Sequence, residues 1–169
     1  MNEQLSKLFL DLDLTLTPKM MVQKSSFKFE YGSDRGISWG NTGGNINTFI
    51  SKFDKNPLME SQIKEGEISI IQKDDEKQSG NFSINERIKF QNEEDMMKEY
   101  YKTTALFEEF GYRVKNSTVQ NENFETNFEF IEILMKSNSK KSTLTISYSI
   151  PPKEDQNKDY FLSFVYINH

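Results

Sequence analysis

A helical period that lasts several turns occurs once in this chain, over Glu93 to Phe110, and the residues on both sides of it mostly follow the period of two that belongs to strands. Asn92 stands where an N-cap belongs, Glu93, Glu94 and Asp95 put negative charge on the first turn, and Gly111 follows the last. Met96, Met97, Tyr100, Thr104, Phe107 and Phe110 fall on one face, which marks a helix packed against an apolar surface. Parallel strands need a crossover between neighbours, usually a helix, and one long helix cannot supply several. The strands must therefore pair through hairpins and meanders.

The alternating segments can be placed in order. Leu8, Leu10, Leu12, Leu14 and Leu16 interleave with Phe9, Asp11, Asp13, Thr15 and Thr17, which predicts a half-buried strand ended by Pro18. Phe27 to Tyr31 reads as a second strand closing at Gly32, with Gly32 to Gly36 as turn and Ile37 to Trp39 returning as its hairpin partner. Ile46, Phe49, Ile50 and Phe53 have the i, i+3, i+4, i+7 spacing of a short helix, ending before Asn56-Pro57. Glu67 to Lys73 and Asn81 to Phe90 form a hairpin across the polar residues between them. Beyond the long helix lie four further runs, Tyr112 to Val119, Glu125 to Met135, Thr143 to Ile150 and Tyr160 to Ile167. The apolar parity changes between Phe130 and Ile131, which predicts a β-bulge. The last run is apolar on both parities, so it should be covered by a helix on one side and by the N-terminal strands or a partner on the other.

The expected fold is α+β: a curved antiparallel sheet of about seven to nine strands, the long helix (about 93–110) packed on one face and a short helix near 46–53. Residues 1–169 are expected to form a single domain. Only 35% of the residues are hydrophobic, but 14 Phe and 7 Tyr supply large apolar area per residue, so aromatic side chains should carry the core.

Composition also limits the chemistry. The sole histidine is the terminal His169 and cysteine is absent, which removes Ser-His-Asp and Cys-His relays and the usual zinc and copper ligand sets. No catalytic residue, metal or cofactor is expected, and the chain is read as a non-enzyme. A net charge of −5 without a long basic run argues against nucleic acid and favours a positively patched protein partner. No uncharged apolar window is long enough to span a membrane. A cytoplasmic location is expected, or an exported one if a leader has been removed. The residue types enriched in interface hot spots gather around the predicted turn, with Tyr31, Asp34 and Arg35 facing Trp39 and Asn41, and these five are the candidate partner-binding residues. The reading is a protein-interaction module, a small acidic inhibitor, immunity or counter-defence protein that blocks its partner. The last strand could also join copies into a homo-oligomer or make the chain a structural subunit of an assembly. The glycine-rich run Gly40 to Asn45 offers a second reading, a nucleotide or other small anionic ligand held by backbone amides.

The segment Asp11-Leu12-Asp13-Leu14-Thr15 after an apolar run resembles the first motif of the haloacid dehalogenase-like phosphatases, with Leu14 where that family usually has glycine. The resemblance covers about ten residues of a short motif whose meaning depends on its structural context. It implies Asp11 as nucleophile towards a phosphoryl group, Asp13 as general acid and base, Mg²⁺ held by Asp11 and later acidic residues such as Asp74 and Asp75, and Lys73 on the phosphate side. It also implies a parallel sheet, against the antiparallel pattern derived above.

Overall fold

The computed structural model describes residues 3–32, 45–74, 81–109, 113–119, 128–137, 140–151 and 159–168. Two short helices come first, α1 (Glu3–Leu8) and α2 (Pro18–Lys24), then strands β1 (Glu30–Gly32), β2 (Asn45–Phe53), β3 (Ile63–Asp74) and β4 (Phe82–Phe90). The long helix α3 (Glu93–Glu109) leads to β5 (Arg113–Val119), β6 (Phe128–Ser137), β7 (Lys140–Ser149) and β8 (Tyr160–Asn168). All eight strands join one sheet in the order β1-β2-β3-β4-β8-β7-β6-β5. Every described pairing is antiparallel. Each half is a meander, and α3 carries the chain from β4 in the middle of the sheet to β5 at its far edge. The second meander then runs back until β8 meets β4. The fold is thus α+β with an antiparallel sheet, as the patterning predicts.

Alternation decides which face is buried. Phe82, Ile84, Ile88 and Phe90 of β4 are buried, and register places Ile84 between Ile70 and Tyr166, and Ile88 between Gly66 and Leu162. Leu144, Ile146 and Tyr148 of β7 continue the same apolar rows. Onto this face α3 lays Met96, Tyr100 and Phe107, with the Tyr100 ring edge-on to Tyr148 at 4.8 Å. Asn92 caps the helix as expected, its Oδ1 accepting the Asp95 amide at 2.8 Å while its Nδ2 donates to the Asp95 carboxylate. Burying one such large apolar side chain is worth about 1.5–3 kcal/mol.

Four local expectations are corrected. Residues 8–17 form no strand: after α1 the chain turns tightly, with Leu10 and Asp11 at φ of 55° and 59°. This left-handed backbone costs roughly 1–2 kcal/mol per residue. It lets Phe9, Leu10, Leu12 and Leu14 all enter the core while Asp11 stays outside. The Ser6 hydroxyl donates to the Leu12 carbonyl at 2.8 Å and closes the turn. Residues 46–53 form no helix but lie in β2, paired along their whole length with β3. Their spacing mixes two parities, so Phe49 and Phe53 share the face of Ile70 and Gly66 while Ile46 and Ile50 lie on the other. The expected bulge near Phe130 is absent, since β6 pairs in unbroken register with β5 and β7, and a shift occurs instead between Ile63 and Glu65 of β3. The strand read from Phe27 is shorter, beginning at Glu30, and pairs with β2. Its expected partner Ile37 to Trp39 lies outside the described residues.

The two faces of β8 differ, where the sequence suggests cover on both. Leu162, Phe164 and Tyr166 are buried, whereas Phe161, Val165 and Ile167 on the outer face are half-buried. The N-terminal segment packs on the same side as α3, the Phe9 ring lying 6.0 Å from that of Tyr166, and so does not cover the outer face.

Gly66 provides a test of the packing. The ring of Phe53, its register partner, occupies the space a Cβ would need. Gly66→Ala should therefore cost about 1–3 kcal/mol as overpacking. In Gly66→Ala/Phe53→Leu the loss measured by chemical denaturation should be smaller than the sum of the two single changes. Full additivity would mean that the two sites do not compete for space.

Candidate functional site

Of the five residues expected to bind a partner, the structure places Tyr31. Asp34, Arg35, Trp39 and Asn41 lie outside the described residues, as does the glycine-rich run up to Gly44. Tyr31 sits in the middle of β1, opposite Phe49 of β2, and is 60% exposed. Its ring meets Phe49 edge-on at 5.5 Å, and its hydroxyl donates to Asn47 Oδ1 at 2.6 Å. The segment leading into β1 is held down in turn, because the buried Ser51 hydroxyl donates to the Lys28 carbonyl at 2.9 Å. An aromatic side chain is thereby fixed in one orientation on the strand that, among the described residues, ends the sheet, and Ile46 of β2 is exposed as well.

The acidic pair of the first motif has a conformational role. Asp13 Oδ1 accepts both the amide and the hydroxyl of Thr15, at 3.1 and 2.6 Å. The Thr15 hydroxyl, and then its amide, hold the Asp13 carboxyl below its ordinary range. This is a side-chain turn, and Asp11 precedes it in left-handed backbone. Among the described residues no strand pair is parallel, against the sheet implied by the phosphatase resemblance. Lys73 and Asp74 close β3, and Asp75 lies outside the described residues. Among the described residues, no three carboxylate or imidazole groups gather in a way that could hold a metal ion.

A second polar region lies under the connection between β2 and β3. Residues 54–57 and 59–64, with Phe27, line an open cavity of about 740 Å³. Its rim mixes signs, with Lys55 and Lys64 beside Asp54 and Glu60, so it has no single charge preference. Beneath it, Glu99 of α3 is fully buried, and its Oε1 accepts the amides of Glu60 and Ser61 at 3.0 and 2.7 Å. Lys102 adds a hydrogen bond to the Leu58 carbonyl at 3.1 Å and an ion pair with Glu60 at 2.8 Å. The connection is thus clamped to α3 by its backbone. Asn56 and Glu86 form a further buried pair below. None of these groups stands out as a site when the sequence is read for catalytic motifs. Glu86 does carry a signal, however, because it occupies the apolar parity of Phe82, Ile84, Ile88 and Phe90.

The outer face is built differently. Arg87 lies over the Phe161 ring at 3.7 Å, and Lys89 pairs with Asp159 at 2.5 Å. β8 is paired along both edges, by β4 and β7, so a second copy could meet it only across a face. Met96 and Phe107 on the apolar face of α3 are buried in the core. Among the described residues no helix is long and apolar enough to cross a membrane. No known protein family, curated protein or solved structure matches the chain.

The clamp on the connection makes Glu99 a measurable support. Glu99→Ala leaves two partly buried amides without their acceptor and should cost about 1–3 kcal/mol of unfolding free energy. Glu99→Gln keeps an acceptor oxygen and should retain most of it. Equal losses for the two variants would show that charge, and not the pair of amide bonds, is what matters.

Proposed function

We propose that this chain is a non-enzymatic protein-binding module, a small acidic inhibitor, immunity or counter-defence protein, that engages its partner at the β1 edge of the sheet. The observation that carries the reading is Tyr31, exposed on a three-residue strand at one end of the strand order and yet held by Phe49 and Asn47. Holding an aromatic ring in place before binding lowers the conformational entropy lost when a partner arrives. Among the described residues β1 pairs on one side only, and such an edge offers unpaired backbone groups to an added strand. The net charge of −5 would steer a basic partner towards the chain. Blocking would follow from occupation of the partner's own working surface.

Capture from lysate of the native host, with the tagged chain and two variants, tests this. Tyr31→Ala should lose a stoichiometric protein that the unchanged chain retains, because hot-spot truncations cost about 2 kcal/mol or more. Tyr101→Ala, equally exposed but on α3, should keep it. Thermal midpoints of both variants should match the parent. Undiminished capture by Tyr31→Ala would rule out the β1 edge as the docking site.

A further inference from the structure

Glu86 lies in the middle of β4 and is 1% exposed. Register sets it between Ile68 of β3 and Phe164 of β8, with Ile84 and Ile88 on either side along its own strand. One carboxyl oxygen accepts a hydrogen bond from Asn56 Nδ2 at 2.6 Å, and the other has no partner among the described residues. The same Asn56 nitrogen donates to the Leu8 carbonyl at 2.8 Å, while Asn56 Oδ1 accepts the Leu58 amide at 2.8 Å. One side chain therefore joins the end of α1, the connection between β2 and β3, and the centre of the sheet. Asn56 also lines the open cavity, so solvent lies on its far side.

The charged groups on the surrounding elements are engaged elsewhere or point into solvent. On α1, Lys7 pairs with Glu3 at 2.7 Å. On the connection, Asp54 and Lys55 are exposed. On α3, Glu99 is held by the Glu60 and Ser61 amides, and Lys102 by Glu60 and the Leu58 carbonyl. The strands contribute Tyr148 and Tyr166 to this face. Glu86 forms no ion pair with any described cation. Burial accordingly pushes its carboxyl well above the ordinary carboxylate range, and the Asn56 hydrogen bond offsets only part of this.

We propose that Glu86, Asn56 and Leu8 form a proton-gated latch. With the carboxyl neutral, the connection at residues 54–62 and the turn after α1 lie closed on the sheet. Ionisation requires water at Glu86, and the shortest route for water is displacement of Asn56 towards the cavity. Opening therefore releases one proton to solvent and frees both segments together. A carboxyl whose closed-state value is raised gives the closed form its full stability below the ordinary carboxylate range. That stability is lost as pH rises towards the closed-state value. Across this window the opening equilibrium should grow about tenfold per pH unit, the slope for one proton.

Amide exchange corrected for intrinsic rates tests the latch, over roughly pH 5 to 9 and therefore above the range where free carboxyls titrate. In the unchanged chain, protection of residues 8–14 and 54–62 should fall with that slope while the β4 and β8 amides hold theirs. Glu86→Gln should make the profile of both segments flat. A parallel fall in the β4 and β8 amides would show global unfolding and overturn a local latch, as would a Glu86→Gln profile with the wild-type slope. If that variant does not fold, the carboxyl ¹³C titration of Glu86 in the unchanged chain decides. Its midpoint should coincide with the pH at which the exchange profile of 54–62 levels off, and a midpoint in the ordinary glutamate range would overturn the proposal.

Discussion

The ladder between β4 and β8 is the interaction on which the rest of the structure depends. It aligns Phe82–Phe90 with Tyr160–Asn168 in nine antiparallel pairs, and it is the only described pairing that joins the first meander to the second. Strands far apart in sequence meet only at the entropic cost of closing the intervening chain. Here that cost is offset by two apolar rows, Ile84 with Tyr166 and Ile88 with Leu162, which become continuous across the junction. The path of α3 follows from this ladder. Once β8 occupies the edge of β4, the chain leaving β4 has no neighbouring position in the sheet and must cross the apolar face to begin β5 at the far side.

Concentrating the helices and the N-terminal turn on one face gives the sheet a dry side and a side that keeps polar groups in solvent. Leu8, Phe9, Leu10 and Leu12 join Met96, Tyr100 and Phe107 over the same strands. The closely packed dry side still contains buried polar side chains, and Asn56, Glu86 and Glu99 are the three that serve the connection. Each makes contact with backbone or with another of the three, so the irregular connection over residues 54–62 is held by hydrogen bonds where it lacks the ladder of a strand. On the other side, Arg87 over Phe161 and Lys89 with Asp159 shield apolar surface with charged side chains, as long basic residues commonly do.

This division separates the regions with which the protein can act. The first edge strand presents a fixed Tyr31 to solvent, and the connection between β2 and β3 borders a cavity of mixed charge above a buried carboxyl. The two lie at different ends of β2, the first beside Asn47 and the second after Phe53. The binding proposed at one and the opening proposed at the other can therefore be altered by separate substitutions.

Much of the architecture was legible in the residues themselves. The helix at 93–109 is announced by its cap, its acidic first turn and its apolar stripe, and β4, β7 and β8 by alternation that tertiary contacts only had to complete. All of these signals are local, with each residue's environment set by neighbours within a turn or a strand. The leucines from Leu8 to Leu14 and the spacing of Ile46, Phe49, Ile50 and Phe53 carry periods that local geometry cannot interpret. The leucines alternate because an irregular turn buries them against a sheet that forms elsewhere, and the second set mixes parities because β2 has apolar residues on both faces. Of the proposed binding residues, Tyr31 could be anticipated from its type and its place beside a glycine turn. Asn56 and Glu86 could not be paired from sequence, since the contact spans thirty positions and exists only once the connection folds down over β4. Sequence therefore determined the elements whose periods repeat, and the tertiary structure decided everything that depends on which buried group faces which.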